Sequence, residues 1–499
     1  MASRRGDLVL GFADGSLRMG RIDFATEFLP AESIAADLRQ QMDKALPVEY
    51  QGGMVQRTSE GAYRKQSIRT EIQEPVSSGN RSAIVKVDQS IRTTGPIIAA
   101  LTADHRLLIK SLTSRRNLMT GKVTTRLTGS ELIIDKHGDK GVPDHLWLSG
   151  VADTLYLIWD DGHLVRYDTR DYDKPQLAQV MELLPQADAK VTVVEMLIGK
   201  TTLMVGDSLG RIAAWFPVKP DGADTPDGVL LVKAHEIIGN GKAVTALAVS
   251  ARSRIITAGF ADGSISLHQV TNGQLLGQDR LSDDKPVLSL AMTPKDDGIF
   301  AITDQHFYRW NIQAPHPESS SAAIFLPVWY EGYTQPTHTW QSSSGEDAFE
   351  PKYGLVPLVF GTLKATVYSM MFGLPLAILA AIFTSEFLHP RVKARVKPVI
   401  ELMASLPSVV LGFLAALVIA PMVEDVVPEL LCTFVMVPFT LVLGAHLWQL
   451  LPPDARIRLQ QYERPIAPHM TGWRVGLHQV LSILGGVRPL MMMLALPVA

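Results

Sequence analysis

Three short motifs in the sequence contain residue types that bind phosphate or metal ions. The Gly-Asn-Gly-Lys run at 239–242 lacks the first glycine and the following Ser or Thr of a phosphate-binding loop, so we interpret it as a turn. The Asp, His and Asp at 135, 137 and 139 lack the glycine and the terminal glutamate of a calcium loop. The His-Glu pair at 235–236 lacks the second His of a zinc helix. We therefore predict no catalytic site, no metal site and no cofactor.

Composition narrows the class of protein. The chain has 499 residues and a formal net charge of −3, with no basic block before its apolar C-terminal part. This length accommodates roughly two to four domains. The sequence therefore gives no sign of the basic patch that nucleic-acid binding requires. The single cysteine, Cys432, excludes a disulfide within the chain and fits either redox compartment.

Three long apolar runs in the C-terminal part predict membrane spans. No charged residue occurs from Ala365 to Ser385 or from Leu402 to Val423, and only His446 could carry charge between Leu430 and Pro453. Each run reaches the length of about 20 residues that crosses a hydrocarbon core of about 30 Å. We predict an all-α core at 353–453 with transmembrane helices at about 357–386, 400–421 and 428–451.

The charged loops between these runs predict their orientation. The loop 389–398 carries four Lys or Arg and no acid, whereas the loop 421–429 carries three acids and no base. Because Lys and Arg stay on the cytoplasmic side, we expect the first loop inside and the residues before Phe360 outside. Residues 1–24 contain no apolar export segment, so we expect that the chain lacks its original start. The alternative is that the domain before the spans is cytoplasmic.

Residues 1–312 show a repeated β-strand pattern. Short alternating apolar runs flank turns near Asp14, Asp104, Asp161, Asp207, Asp262 and Asp304, mostly 40 to 60 residues apart. Repeats of about 40–45 residues made of short strands are typical of β-propeller blades. We predict an all-β, WD-like β-propeller with a helical and polar insertion at 31–82.

A linker at 313–352 leads into the first predicted span. It contains Trp329, Tyr330, Tyr333 and Trp340. Aromatic side chains gather at the membrane–water boundary because one end of the ring system is apolar and the other can hydrogen-bond. The alternative, with equal weight, is that these rings pack under the propeller.

The membrane segment contains several motifs of one transporter family. They are Gly-Thr-Leu at 361–363, Pro375, Ser-Glu at 385–386, Leu-Pro-Ser-Val-Val at 406–410, and Gly412. Over about 353–451 the sequence resembles the permease subunit of phosphate-type ABC transporters, of the PstC type. The resemblance is to a long variant that carries a large domain ahead of a MetI-like permease core. Together the motifs are specific, although each alone is weak.

The resemblance implies a function and a set of partners. It implies a permease subunit of an ATP-driven phosphate import system, which spans a bacterial inner membrane several times. With the orientation predicted from the charged loops, the propeller would lie in the periplasm. The implied partners are a second permease subunit, a cytoplasmic ATPase dimer and a periplasmic phosphate-binding protein. The chain itself would then not be an enzyme, since the ATPase would hydrolyse ATP.

Independently of the resemblance, several residues in the spans suit a gated path. Pro375 and Pro407 each remove a backbone hydrogen bond within a span, which kinks the helix. Small residues such as Gly412 let helices approach closely. Lys364 lies near the outer end of the first span, where it could contact an anion. With Ser408 these are the candidate path residues, and the alternative is that they are ordinary features of a packed membrane bundle.

The sequence departs from the family after residue 453. ABC permeases couple to their ATPase through a cytoplasmic Glu-Ala-Ala-like loop, and residues 454–499 contain no match to it. We interpret them as a cytoplasmic loop followed by an incomplete apolar segment. We therefore expect a permease truncated at both ends, which could not couple ATP hydrolysis to transport by itself. The alternative function is a membrane-anchored β-propeller scaffold or sensor without transport activity.

Overall fold

Six antiparallel β-sheets follow one another between Asp7 and Asn311 in the computed structural model of the chain. The structure describes residues 6–42, 47–79, 81–116, 123–135, 137–186, 188–345, 349–454 and 457. The predicted loop and apolar segment at 454–499 therefore lie almost wholly outside the described residues. The chain divides into two units, residues 1–368 and 369–499.

The strands of each sheet are neighbours in the chain. The first sheet contains β1 (Asp7–Gly11), β2 (Ser16–Leu29), β3 (Val48–Tyr50), β4 (Gly53–Arg57), β5 (Tyr63–Ile72) and β6 (Val76–Ser77). The second contains β7 (Ile84–Arg92), β8 (Gly95–Thr102), β9 (Arg106–Arg116) and β10 (Val123–Ile133), and the third β11 (His145–Leu148), β12 (Thr154–Ile158), β13 (His163–Asp168) and β14 (Gln176–Glu182). The fourth contains β15 (Val191–Met196), β16 (Leu203–Asp207), β17 (Arg211–Val218) and β18 (Leu230–Ile238), and the fifth β19 (Val244–Val249), β20 (Ile255–Phe260), β21 (Ser264–Gln269) and β22 (Leu275–Arg280). The sixth contains β23 (Ser289–Met292), β24 (Gly298–Ile302) and β25 (Phe307–Asn311).

Successive sheets bury their apolar faces against one another. One cluster joins the second and third sheets through Leu107 and Leu155, and the next joins the third and fourth through Tyr156 and Leu203. Further clusters join the fourth sheet to the fifth and the fifth to the sixth. Since this is the packing of propeller blades, the predicted WD-like β-propeller is confirmed, with six blades.

The predicted Asp turns join consecutive strands within a blade, such as β1 to β2 at Asp14 and β20 to β21 at Asp262. The backbone N–H of Ser16 donates to Asp14 Oδ1 at 2.9 Å, and that of Ser264 donates to Asp262 Oδ1 at 3.2 Å. The residue after each aspartate, Gly15 or Gly263, has φ of 78°. Glycine adopts this left-handed conformation without steric strain, which explains the Asp-Gly pair.

Glycines also set the spacing between neighbouring blades. A Cβ added to Gly206 would lie 2.9 Å from Val244 Cγ1, and one added to Gly259 would lie 2.6 Å from Val287 Cγ1. In both cases the second strand of one blade meets the start of the next blade. The absence of a side chain therefore allows the close approach of successive blades.

The insertion at 31–82 contains strands as well as the expected helix. Helix α1 (Ala36–Met42) packs its Met42 with Val55 and Tyr63 in a small separate core. Strand β5 pairs with the long strand β2 along ten residue pairs, from Gly20 with Ile72 to Leu29 with Tyr63. The polar stretch 47–82 thus extends the first sheet, which its sequence did not indicate because charged residues interrupt the apolar alternation.

The C-terminal part of the chain is helical. After the short helix α2 (Ser321–Phe325) and the strands β26 (Trp340–Gln341) and β27 (Lys352–Tyr353), the helices are α3 (Val356–Ile382), α4 (Pro390–Ser405), α5 (Ser408–Leu414), α6 (Ala420–Glu424) and α7 (Val427–Leu450). π-Helical turns at Phe383–Phe387 and Ala415–Ile419 extend α3 and link α5 to α6.

Two of these helices are long and apolar enough to cross a membrane. They are Val356–Phe387 and Val427–Leu450, which coincide with the first and third predicted spans. The middle predicted span, 400–421, runs across a break. There Pro390–Ser405 and Ser408–Glu424 meet at an angle of 97°, and counting this bent pair as one span makes a total of three among the described residues.

The close approach at Gly259 predicts a stability effect. We expect Gly259→Ala to destabilise the propeller by about 1–3 kcal/mol, because the new methyl group overpacks the contact with Val287. Gly277→Ala is the matched control, since nothing lies within 4 Å of a Cβ at that strand position. Urea unfolding followed by tryptophan fluorescence measures both, and an equal effect of the two substitutions would contradict the packing argument.

Candidate functional site

Three of the five candidate path residues lie together at the break between α4 and α5. Pro407 caps α5, and its carbonyl oxygen accepts hydrogen bonds from the N–H groups of Val410 at 2.9 Å and Leu411 at 3.2 Å. Ser408 begins the helix and Gly412 lies one turn further along it. A Cβ on Gly412 would meet nothing within 4 Å. Since Pro407 has no N–H to continue the preceding helix, the chain turns sharply at this point.

The other two candidates lie on α3, which does not break. Pro375 is inside the helix, and the helix continues to Ile382. The Nζ atom of Lys364 lies 5.7 Å from the ring centroid of Tyr368. Lys364 belongs to the first unit and the remaining candidates to the second. The structure therefore brings together Pro407, Ser408 and Gly412 only.

The helices present apolar side chains on their surfaces. Phe360, Val367 and Leu379 of α3 and Val409 and Phe413 of α5 are among the many large apolar residues that are exposed. A surface of this composition is stable only when lipid or other apolar helices cover it. The helical part of the chain is therefore suited to a membrane, to partner helices, or to both.

Residues 313–345 and 349–353, here called the strap, pack against the propeller. The ring of Trp329 meets that of Phe216 edge-on at 5.7 Å between centroids. The backbone carbonyl of Trp329 is 2.8 Å from His235 Nε2, and Tyr330 is buried. Of the two alternatives for these aromatic residues, the structure shows packing against the propeller for Trp329 and within a buried cluster for Tyr330.

Buried charges attach the strap to the fifth blade. Arg254 donates from its guanidinium to the carbonyl of Ile198 at 2.8 Å and pairs with Glu331 of the strap. Its Nε atom also lies 3.9 Å from Glu350 Oε2, and only 9% of each of these two side chains is exposed. Burial raises the pKa of the Glu350 carboxyl to about 6, although Thr271 and Arg254 act to lower it.

A lysine at the end of the strap lies among aromatic rings. The Lys352 ammonium is 4.6 Å from the ring centroid of Phe349 and 5.6 Å from that of Tyr330, distances typical of cation–π contacts. It also donates to Gln341 Oε1 at 3.1 Å. Just beyond it, the N–H of Leu355 donates to the carbonyl of Ile324 at 2.9 Å, so the strap is held up to the start of α3.

A second charged group connects strand β7 of the second blade with the turn between β15 and β16 of the fourth blade. Lys200 donates to Asp88 Oδ1 at 3.2 Å and to the carbonyl of Gln89 at 3.2 Å. Nearby, burial raises the pKa of the Glu195 carboxyl to about 7, with the charge of Lys200 acting in the opposite direction. Sequence reasoning missed this group because Asp88 and Lys200 are 112 residues apart, with no local spacing to signal it.

In the motifs that resemble a phosphate-binding loop and a calcium loop, polar side chains form hydrogen bonds within the propeller. In the Gly-Asn-Gly-Lys run, Asn240 Oδ1 accepts a hydrogen bond from the N–H of Lys242 at 3.0 Å in the turn between β18 and β19. His137 Nε2 lies 2.9 Å from Asp161 Oδ2, and its ring stacks on that of His163 at 3.8 Å. These contacts account for the polar residues at both places within the blades.

Comparison with known proteins finds partial matches. The chain is 40% identical over 76 residues to the probable ABC transporter permease protein YqgH of Bacillus subtilis, which is 15% of this chain and 25% of that protein. It is 27% identical over 89 residues to the probable phosphate transport system permease protein PstC of Methanocaldococcus jannaschii, covering 18% and 28%. It is 26% identical over 144 residues to the PstC protein of Mesorhizobium japonicum, covering 26% and 42%. No protein-family model matches the chain.

Part of the chain resembles PstC-type permeases of phosphate ABC transport systems. The resemblance predicted from the sequence is confirmed. The chain contains both a six-bladed propeller and a permease-like segment. The chain spans about a quarter to two-fifths of the length of these relatives. Among solved structures, Sqt1 of Chaetomium thermophilum aligns with a TM-score of 0.38 and 14% identity over 62% of this chain and 70% of that one. The permease relatives and the apolar helices indicate a membrane protein.

The buried carboxyl of Glu350 predicts a pH effect on stability. Its pKa is raised from 4.5 to about 6, so between these values the folded state binds more protons than the unfolded state. The free energy of unfolding should therefore fall by up to about 2 kcal/mol as the pH rises through this range. We expect Glu350→Gln to reduce the total fall by this amount, as measured by urea unfolding in detergent between pH 4.5 and 8, while the part due to Glu195, whose pKa burial raises to about 7, remains.

The control for this measurement is Glu236→Gln. Glu236 pairs with Lys233 at 3.1 Å on the surface, where an ion pair contributes little. If Glu236→Gln changed the pH profile as much as Glu350→Gln does, burial of Glu350 would not be the cause.

Proposed function

We propose that this chain is a permease subunit of an ATP-driven phosphate import system and forms part of its translocation path. The observation that carries the proposal is the similarity to PstC-type permeases, in a chain whose apolar helices are exposed and break at the family motif around Pro407. Two relatives are named as phosphate permeases, which supports phosphate as the substrate. ATP would be hydrolysed by a partner.

The candidate path residues would act through helix shape and charge. A helix broken at Pro407 exposes the N-terminal N–H groups of α5, and such groups attract anions. Gly412, with open space around it, would allow a neighbouring helix to approach closely. Pro375 would permit bending of α3, and Lys364 would attract phosphate near the outer end of that helix.

The exposed helix surfaces support the proposed partners. A second permease subunit would cover part of the apolar surface of α3, α5 and α7. A cytoplasmic ATPase dimer and a periplasmic phosphate-binding protein complete the proposed system. In this arrangement residues 1–312 form a periplasmic propeller, 313–352 link it to the membrane, 353–453 form the permease core and 454–499 begin on the cytoplasmic side of a bacterial inner membrane.

Cysteine labelling tests the proposed orientation. In a Cys432→Ser background, a cysteine replacing the exposed Asp221 of the propeller should react with a membrane-impermeant maleimide in intact spheroplasts. A cysteine replacing the exposed Arg395, in the basic loop, should react only after the membrane is permeabilised, because positive loops stay inside. The reverse pattern would place the propeller in the cytoplasm and contradict the proposal.

Co-purification tests the proposed assembly. We expect the wild-type chain, expressed with the partner subunits of a phosphate ABC importer, to retain the second permease subunit after detergent solubilisation. Gly412→Leu should lower its recovery at least tenfold by blocking close helix approach. Val409→Leu is the control, since Val409 lies on the same helix and is already large and exposed.

The same preparation distinguishes transport from the alternative function. Uptake of radiolabelled phosphate by proteoliposomes of the co-purified assembly, with sulfate as competitor, tests the substrate. If the wild-type chain retained neither the permease subunit nor the ATPase, the transporter proposal would fail, and a membrane-anchored propeller scaffold would be the better account.

A further inference from the structure

One pair of residues distinguishes the fifth blade from the third and fourth. In all three blades the turn before the third strand contains a glycine whose N–H donates to the carbonyl three residues earlier, at 3.1 to 3.2 Å. This shared turn aligns the third strands residue by residue. The third and fifth residues after the glycine are Val165 and Tyr167 in the third blade, Ala213 and Trp215 in the fourth, and Ser266 and His268 in the fifth.

In the third and fourth blades the aromatic ring fills space against the preceding blade. Tyr167 packs against the cluster that joins the second and third blades, and Trp215 belongs to the cluster that joins the third and fourth. In the fifth blade Ile265 packs towards the sixth. Because successive side chains of a strand point to opposite faces, Ser266 and His268 face the fourth blade. They occupy the place that an apolar residue and a ring occupy in the other two blades.

A cavity lies at this place, between β18 of the fourth blade and the β21–β22 pair of the fifth. Its volume is about 490 Å³, within the range of small-molecule sites. Ile238, Phe260 and Leu275 provide apolar walls, and Ser266 and His268 are among the polar residues that line it. Ile238 is 81% exposed and Leu275 is 47% exposed, so the cavity contains apolar surface that a ligand would cover.

The polar side chains of the cavity lack partners. His268 is 6% exposed, and neither of its ring nitrogens forms a hydrogen bond to the described residues. The Ser266 hydroxyl, in a residue that is 9% exposed, has no partner among them either. Buried polar groups of folded proteins are nearly always hydrogen-bonded. A bound molecule that reaches His268 would provide the missing partner.

The surroundings of His268 favour a neutral ligand. Burial lowers the pKa of its imidazole, so at neutral pH one ring nitrogen accepts a hydrogen bond and the other donates one. The charged residues that line the cavity have partners elsewhere. Asp279 accepts from Trp310 Nε1 at 2.7 Å, and Arg280 pairs with Asp284 at 2.7 Å. A charged group on the ligand would therefore lose water without gaining a free opposite charge, whereas a hydroxyl group can both donate to and accept from the imidazole.

We propose that the cavity between β18 and the β21–β22 pair binds a small neutral aromatic molecule that carries a hydroxyl group, that is, a phenol. The aromatic ring lies between Ile238 and Leu275, in the place that Trp215 fills in the fourth blade. The hydroxyl group forms a hydrogen bond with His268. This site goes beyond the proposed transport function and does not depend on it.

Equilibrium dialysis with tritiated phenol tests the proposal. The full chain is reconstituted in lipid nanodiscs, and empty nanodiscs measure the phenol that dissolves in lipid. We expect saturable binding above this background. Toluene should bind at least tenfold more weakly, because it has the same ring but no hydroxyl group to pair with the imidazole.

Substitutions of His268 separate the hydrogen bond from the space. His268→Ala should weaken phenol binding at least tenfold without weakening toluene binding, because it removes the polar partner and leaves the cavity open. Unfolding would not produce this change of preference. His268→Trp should abolish binding of both molecules, because the indole ring fills the cavity as Trp215 does in the fourth blade.

His316→Ala is the matched control. The His316 side chain is 80% exposed and does not line the cavity, so its removal should leave phenol binding unchanged.

Three results would overturn the proposal. The first is no saturable phenol binding to the wild-type chain above empty nanodiscs. The second is equal phenol binding to the wild type and to His268→Ala, with both folded by circular dichroism, since His268 would then not bind the hydroxyl group. The third is a wild-type chain that binds toluene as tightly as phenol, which would make the cavity an apolar groove without preference for a hydroxyl group.

Discussion

The propeller depends on the contact between the second strand of each blade and the first strand of the next. A single four-stranded sheet cannot bury both of its faces, so each blade is stable only between neighbours. At Gly206 and Gly259 the absence of a Cβ lets this contact close to van der Waals distance. The strap and the start of α3 are attached to the propeller, so their positions depend on this repeated contact.

The strap shows how charge can position a segment of chain. Arg254 is buried against Glu331 and Glu350, and a buried ion pair adds little stability over apolar packing of the same volume. Removing one partner, however, leaves a charge without compensation, so misplaced arrangements of the strap are strongly disfavoured. The cation–π contacts of Lys352 with the aromatic rings around it also favour this position of the strap. The strap is thus held in one place immediately before the first membrane helix.

The helical part follows a different constraint. In a hydrocarbon environment each backbone group must be satisfied within its own helix, which favours long uninterrupted helices such as Val356–Phe387. A break is tolerated where protein or water can meet the freed groups, and the break at Pro407 falls within the motif that resembles PstC-type permeases. Together with the exposed apolar surface, this arrangement suits a subunit of a larger membrane assembly.

Sequence alone determined the features that depend on local pattern. Uncharged runs predicted the helices at Val356–Phe387 and Val427–Leu450. Turns containing Asp, recurring mostly every 40 to 60 residues between short alternating runs, predicted the blades. Both signals can be read from neighbouring residues in the sequence. Only the tertiary structure decided the features that depend on distant partners. Strand β5 is polar and forms because it pairs with β2, and Arg254 meets Glu331 because the strap folds back onto the fifth blade. Local periodicity carries no information about such pairings, since they are set by which faces meet after folding.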